Sequence, residues 1–354
     1  MRYRWIPCRR LPKLSNERQI LTMASDAPKP TVDLKGAKMM RVKVEACSIS
    51  AGDAIMLRGD CDKMLQPPAF PFVPGMDVCG IVEQVAPECK RFKVGDRIMA
   101  TNGMLPIGGL AEYTTVHAKW AAKAPDNVSA VQAAALPNSP VAAMHAMQAA
   151  GIKEGERVLI LGGSGGVGSS LLQLAKDAKA SFVATTSTDA ALCTSLGADI
   201  VIDYREKNWY EDPAFVESPF NVVIDCVGWR DEWKESGRRG VLKSGWGGGR
   251  YIAIATTDSP EMHTVWQGVK MFIPSLWRTG WTLVNRFRPR YKIVISEPTD
   301  KDLEELRELV VSGRLKPVLE PASPFPFTQE GVREAFRLQL SKHAHGKVVV
   351  SMSA

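Results

Sequence analysis

The sequence predicts an α/β chain in which a doubly wound parallel sheet is joined to a smaller β-rich domain. Three observations carry that expectation. The 354 residues amount to about two domains at roughly 150 residues each. From Gly151 onward, short apolar runs alternate with helix-favouring stretches, the pattern of parallel strands covered on both faces. A glycine cluster, Gly163-Ser164-Gly165-Gly166-Val167-Gly168, stands between the apolar run VLILG (158–162) and a helix-favouring segment.

Taken in order, the chain opens on residues 1–30, which read as a basic leader. Arg2, Arg4, Arg9, Arg10, Lys13 and Arg18 face only Glu17 before Ser25. Arg-rich, acid-poor openings are the pattern of mitochondrial presequences. A disordered basic leader, or a true start at Met23, fits the same composition. The expected address is mitochondrial, with the cytoplasm as the alternative.

Residues 38–48 (KMMRVKVEACS) and 77–85 (DVCGIVEQV) are rich in Val and Ile and read as strands. Turn clusters at Ala51-Gly52-Asp53, Pro67-Pro68, Pro74-Gly75 and Gly95-Asp96 punctuate this part. Residues 31–147 are therefore expected to form a β-rich domain. Its last stretch, 129–150, is Ala-rich and helix-favouring, broken at Pro137 and Pro140.

Residues 148–299 are expected to form the sheet domain. Its strands are VLILG (158–162), SFVATT (181–186), IVIDY (200–204), NVVIDCVG (221–228) and RYIAIAT (250–256), with helices over about 166–178 and up to Gly197. Residues 301–312 (KDLEELRELVVS) carry Leu303, Leu306, Leu309 and Val310 on one helical face, and Gly313 ends the run. GKVVV (346–350) is a strand with no helix behind it, so 300–354 are expected to return to the β-rich domain and complete it.

Composition narrows the function classes. Hydrophobic residues at 45% and charged residues at 23% are ordinary for a globular chain. No apolar run approaches the ~18 residues a membrane-spanning helix needs. The net charge of +7 and pI of about 9.0 suit phosphorylated ligands, nucleic acid or an anionic surface. The 7 cysteines are odd in number, widely spaced and never arranged as C-x-x-C. That argues against a disulfide framework and against a compact zinc knuckle.

The glycine cluster carries the chemistry. Gly163, Gly165 and Gly168 fit G-x-G-x-x-G in the strand–turn–helix setting of a Rossmann unit. The first glycine permits the tight turn, the second lets backbone N–H groups approach a pyrophosphate, and the third lets helix and strand pack closely. Ser164, Gly166 and Val167 complete the loop, and the helix start adds partial positive charge. An acidic residue normally ends the second strand of an NAD site. Here Thr185, Thr186, Ser187 and Thr188 stand there, leaving room for a 2′-phosphate, while Asp189 belongs to the next helix's first turn. NADPH is the expected cofactor.

Residues 263–293 interleave Trp266, Trp277 and Trp281 with Arg278, Arg286, Arg288 and Arg290. Such a mixture suits a membrane interface or single-stranded nucleic acid. It suits a helical lid or a dimer contact as well.

These segments, together with PFVPGMDVCGIVEQV, RFKVGDRIMA, GGLAEYTTVHA, AAALP, VLILGGSGGVGSSLLQLAK, LGADIVIDYRE and HGKVVV, resemble the medium-chain dehydrogenase/reductase superfamily. The likeness runs from about residue 37 to the C-terminus and favours the zinc-independent quinone-oxidoreductase-like branch, near the mitochondrial reticulon-interacting NADPH oxidoreductases. It implies a GroES-like domain (31–147 with 300–354), a Rossmann domain (148–299) and a homodimer. It further implies Ser187, Tyr204 and Arg205 at the adenosine 2′-phosphate. Val227 and Gly228 line the cofactor by the same likeness, and Ser50, Asp53 and the loop before Phe72 lie on the nicotinamide side.

Zinc-dependent members carry Cys and His-Glu ligands where this chain has Ser48–Ser50 and Gly75-Met76-Asp77, so no metal is expected. The implied activity is NADPH-dependent hydride transfer to a quinone or an activated C=C or carbonyl acceptor. The alternative is a non-enzymatic NADPH-binding sensor that makes its contacts through 263–293. Asp53 admits a second role, as a buried carboxylate that holds its loop.

Overall fold

The computed structural model describes residues 2–5, 21–30, 38–58, 72–102, 108–228, 232–254, 265–285 and 287–353. The chain divides into two compact units, Met1–Val141 with Glu297–Ala354, and Ala142–Ser296.

The first unit begins with β1 (Arg2–Trp5) paired antiparallel to β2 (Ala24–Pro28). This corrects the reading of a disordered leader for those two segments. Backbone groups that a leader would leave to water are satisfied across the pair, and β-favouring Tyr3 and Trp5 suit it. Residues 6–20 lie outside the described set.

The centre of this unit is β3 (Met39–Ile49), which pairs antiparallel with β4 (Asp77–Val85) and with β6 (Tyr113–His117). Along it Met40, Val42 and Val44 enter one core on alternate positions, and after a register shift between Val44 and Ala46 the same core takes Cys47 and Ile49. β5 (Arg97–Thr101) and β7 (Ala121–Lys123) extend the sheet beyond β4. A short helix, α1 (Ala51–Arg58), follows β3. α2 (Ala130–Ala134) is started by a Ser129–Gln132 capping box.

α3 (Ser139–Ala150) resumes after Pro137 and holds Pro140 in its first turn. The sequence suggested a break at Pro140. A first-turn proline lacks only an N–H that would be unpaired there, so the helix runs through it.

The second unit carries a parallel sheet of β8 (Arg157–Leu161), β9 (Phe182–Thr186), β10 (Ile200–Ile202), β11 (Val222–Asp225), β12 (Arg250–Ala253) and β13 (Arg290–Ile293). Among the described residues their order is β10-β9-β8-β11-β12-β13. The order reverses between β8 and β11, and such a switch point opens a crevice at the strands' carboxyl ends. β8 and β11 are almost wholly buried, as continuous apolar strands of a two-sided sheet are. The connecting helices are α4 (Gly168–Asp177), α5 (Ala190–Ser195), α6 (Pro213–Glu217), α7 (Glu232–Arg239) and α8 (Val265–Val284).

The chain then returns to the first unit. α9 (Asp300–Val311) buries Leu303, Leu306, Leu309 and Val310. β14 (Phe325–Pro326), α10 (Gln329–Ser341) and β15 (Val348–Ser351) follow, and β15 pairs antiparallel with β3. Val348 and Val350 enter one core with Met40, Val42, Ile98 and Phe336. None of the described helices is long and apolar enough to cross a membrane.

Candidate active site

In the second unit, parallel pairing aligns Leu161 with Thr186 and with Asp225, so the loops after β8, β9 and β11 emerge at one edge. The left-handed residue of the glycine loop is Gly162, at φ 83°. The motif assigned the tight turn to Gly163, one residue later. Gly163 is needed for a different reason, since a Cβ there would stand 2.1 Å from Thr185 Oγ1. A Cβ on Gly168 would meet Gly162 O at 2.1 Å, which is the close helix–strand packing the third glycine allows.

Gly165 differs from both. A Cβ there would have Gly162 O at 3.5 Å as its nearest neighbour, an ordinary contact. Among these three glycines it is the one at which protein packing would admit a side chain. After Ser164, Gly166 and Val167, α4 begins at Gly168, and its N-cap Val167 makes no side-chain cap hydrogen bond. Ser169 and Ser170 N–H already donate to Gly165 O and Val167 O at 2.9 and 3.1 Å, so it is the helix dipole at this end that suits an anion. These features fit the pyrophosphate of a dinucleotide.

Thr186 holds this loop in place. Its Oγ1 accepts from Gly162 N–H at 3.0 Å and its carbonyl accepts from Gly163 N–H at 3.0 Å. Ser187 is buried, bonds its N–H to Ile202 O at 3.0 Å, and accepts from Asp189 N–H at 3.0 Å. Asp189 caps α5 through Leu192 N–H. Tyr204 and Arg205 follow β10, the neighbour of β9. Arg205 Nε donates to Asp203 Oδ1 at 2.9 Å, and the Arg205 hydrogen bonds hold the Asp203 carboxyl down at about 2.

The loop after β11 is shaped by a residue the motif reading passed over. Asp225 Oδ1 accepts from Val227 N–H at 2.9 Å and Gly228 N–H at 2.8 Å, and Oδ2 accepts from Tyr251 O–H at 2.7 Å. Burial pushes its carboxyl upward against these hydrogen bonds. The available signal was an aspartate closing an apolar strand two residues before Val-Gly. A Cβ on Gly162 would touch Val227 Cγ2 at 2.8 Å, so the two loops adjoin.

In the first unit, Ser50 and Asp53 form a capping box at the start of α1. Ser50 N–H and Oγ donate to Asp53 Oδ2 at 2.9 and 3.0 Å, and Asp53 N–H reaches Ser50 Oγ at 3.4 Å. The carboxylate also accepts from Gly75 N–H at 2.8 Å and Met76 N–H at 3.3 Å. Asp53 thus ties the helix start to the segment entering β4. It is wholly buried, and desolvation pushes its carboxyl up to about 6, outweighing the lowering by its backbone donors. The loop 59–71 before Phe72 lies outside the described residues.

The positions of the metal ligands in zinc-dependent relatives hold a different set of groups. Ser48 Oγ donates to Asp77 Oδ2 at 3.2 Å, and the Lys347 ammonium stands 3.4 Å from the same oxygen, both side chains buried. A cationic lysine already faces the carboxylate where a metal would sit, and serine hydroxyls are poor zinc donors. Among the described residues no three His, Cys, Asp or Glu converge to hold a metal. Cys47 and Cys79 are free, buried strand residues, and burial pushes the Cys79 thiol up to about 12.

Of the Trp/Arg segment, Trp277, Arg278, Trp281 and Arg288 line one pocket with Trp233 and Lys234. Trp266 lies in α8, but its side chain and Arg286 are outside the described residues.

Residues 36–126 match the family model "Alcohol dehydrogenase GroES-like domain" and residues 196–350 match "Zinc-binding dehydrogenase". The chain is 32% identical over 318 residues to the chloroplastic NADPH-dependent alkenal/one oxidoreductase of Arabidopsis thaliana, covering 87% of this chain and 71% of that one. It is 32% identical over 296 residues to the mitochondrial NAD(P)H oxidoreductase RTN4IP1 of Homo sapiens, covering 80% and 71%. Its fold matches the quinone oxidoreductase from Coxiella burnetii with a TM-score of 0.79 at 24% identity, over 99% of this chain and 100% of that one. With that identity across more than two thirds of its relatives, and with a GroES-like region preceding a doubly wound sheet, the chain belongs to the medium-chain dehydrogenase/reductase superfamily.

Proposed function

We propose that this chain is an NADPH-dependent, zinc-independent oxidoreductase that reduces quinones or activated C=C and carbonyl acceptors. The observation that carries the reading is a glycine at 165 that protein packing does not itself require, before a helix start without a side-chain cap, at the switch point of the sheet. The relatives named for NADPH and for alkenal/one acceptors support it. NADPH, when bound, supplies a hydride from its nicotinamide ring.

The chain's own residues hold and orient. Gly163, Ser164, Gly165, Gly166, Val167 and Gly168 take the pyrophosphate, with Thr186 fixing the loop from beneath. Ser187, Tyr204 and Arg205 take the 2′-phosphate. Arg205 then exchanges some of its bonding to Asp203 for bonding to the phosphate, a better partner for a planar guanidinium. Val227 and Gly228, shaped by Asp225, form a second wall. Ser50 and Asp53 set the backbone at Gly75 and Met76 on the acceptor side. Asp53 is a positioning residue in this scheme, because its donors already occupy both carboxylate oxygens.

A quinone needs no side-chain acid, since its reduced oxygens take protons from water. An enone needs one proton at the α-carbon, which water also supplies. A mitochondrial address belongs to the same proposal, supported by the Arg-rich opening and the mitochondrial relative.

The test is acceptor-dependent loss of NADPH absorbance with purified chain, against a panel of quinones and α,β-unsaturated carbonyls, with NADH as the control. Turnover with NADPH well above NADH on one acceptor class is the expected result. Tight NADPH binding without reduction of any acceptor would overturn it in favour of a sensor.

A further inference from the structure

β12 runs inside the parallel sheet, between β11 and β13, and Tyr251, Ile252 and Ala253 on it are buried. A phenylalanine would fill the place of Tyr251 as well as a tyrosine does. Its hydroxyl, in an apolar interior, needs a partner. That partner is Asp225 on the neighbouring strand, whose Oδ2 accepts from Tyr251 O–H at 2.7 Å. The tyrosine ring is fixed in turn by stacking on Tyr291, with centroids 5.8 Å apart and planes 11° from parallel. Asp225 is itself buried, a place that a carboxylate holds only while its oxygens are hydrogen-bonded.

The other oxygen of Asp225 acts on the loop beyond it. Oδ1 accepts from Val227 N–H at 2.9 Å and from Gly228 N–H at 2.8 Å, the turn an aspartate makes with backbone two residues on. A trans peptide carries its C=O opposite its N–H. With these two N–H groups turned onto the buried carboxylate, the carbonyls of Cys226 and Val227 are turned away from it. The loop leaves β11 at the carboxyl edge, where the strand order reverses, and it adjoins the glycine loop at Gly162. Carbonyl acceptors held in one direction there suit the donor groups of a dinucleotide.

We infer that Tyr251 is a positioning residue for the cofactor: by holding Asp225 it sets the direction of the Cys226 and Val227 carbonyls, and through them the fit of NADPH. The inference rests on the NADPH reading above and adds to it a buried residue on the next strand. Without the hydroxyl, Asp225 Oδ2 is left bare in the interior. Burial already pushes this carboxyl upward, so it answers by taking a proton or by turning toward other donors. Either change loosens its grip on the two N–H groups. A merely structural tyrosine would lower stability and leave cofactor binding alone.

The test is NADPH titration and steady-state kinetics of Tyr251→Phe beside the parent chain, with thermal melts of both. The variant keeps the ring and its stacking, so it should melt cooperatively. Its NADPH dissociation constant and NADPH KM should rise about tenfold, the order of one well-placed hydrogen bond, while the acceptor KM holds. Asp225→Ala should show at least the same rise, and adding Tyr251→Phe to it should raise it no further, because the tyrosine acts only through the carboxylate. Asp225→Asn still offers an oxygen to both N–H groups and should recover most of the affinity that Asp225→Ala loses. If Asp225→Ala does not fold, Tyr251→Phe alone decides. NADPH constants equal to the parent's in a folded Tyr251→Phe chain would overturn the inference and leave the NADPH reading intact. An effect of Tyr251→Phe that persists undiminished beside Asp225→Ala would overturn it as well. No NADPH binding by the parent chain would overturn both.

Discussion

Two helices of the first unit begin with the same local device and use it differently. At α1, Ser50 N–H and Oγ meet Asp53 Oδ2 at 2.9 and 3.0 Å. At α9, Thr299 N–H and Oγ1 meet Asp302 Oδ2 at 2.9 and 2.6 Å. The hydroxyl-x-x-Asp spacing is identical and so is the reciprocal bonding. The Thr299 box lies near the surface, and its bonds between Thr299 and Asp302 are those of a helix cap. The Ser50 box is buried, gathers Gly75 and Met76 N–H as further donors, and sits near the Asp77–Lys347 pair. A motif supplies the bonds; burial and distant donors make one copy a fixture of the candidate site.

The largest break in that contrast is expected at Lys347. Lys347→Met leaves Asp77, a buried carboxyl that desolvation already pushes upward, without its cation, at a cost of about 3–5 kcal/mol. Urea denaturation near neutral pH measures it, and a change below ~1 kcal/mol would mean that water or a rearranged donor replaces the ammonium.

The second break is a matter of pH. Asp53 has a folded value of about 6 against an ordinary 3.8. The folded state therefore holds this proton more tightly than the unfolded one. Its contribution to stability is full below the unfolded value and is lost as pH rises through about 6, an effect on the order of 3 kcal/mol. Asp53→Asn should remove that decline between roughly pH 4 and 6. Denaturant melts of both chains across the range read it directly, and parallel curves would contradict the account.

The smallest effect sharpens the comparison from the other side. Thr299→Ala removes a helix cap near the surface, and should cost about 1 kcal/mol with turnover unchanged. Ser50→Ala removes the corresponding hydroxyl and should cost about as much in cap energy, while also lowering turnover. Equal behaviour of the two variants in the activity assay would erase the distinction.

Much of the fold is legible in the sequence, for identifiable reasons. Apolar runs such as VLILG announce two-sided burial. GKVVV with no helix behind it announces a returning strand, and β15 does pair with β3. The glycine loop is legible because its strand and helix flank it.

The rest depends on contacts between distant residues or on choices the local sequence leaves equal. Gly162 and Gly163 are indistinguishable until one is seen at φ 83° and the other against Thr185. Asp53 reaches Gly75, and Asp77 reaches Lys347 across most of the chain, so neither partner is readable locally. Asp225 was visible as a residue, but its bond to Tyr251 requires the pairing of β11 with β12.

The central claim, a dinucleotide seated on the glycine loop, is tested most directly by NADPH titration and acceptor turnover of Gly165→Ala. A Cβ there has room within the protein, so the variant should fold and melt as the parent chain does. The account predicts NADPH affinity lowered about tenfold or more, the cost of displacing a closely held pyrophosphate, with turnover falling in step. A folded Gly165→Ala chain that binds NADPH and reduces its acceptor as the parent does would contradict it.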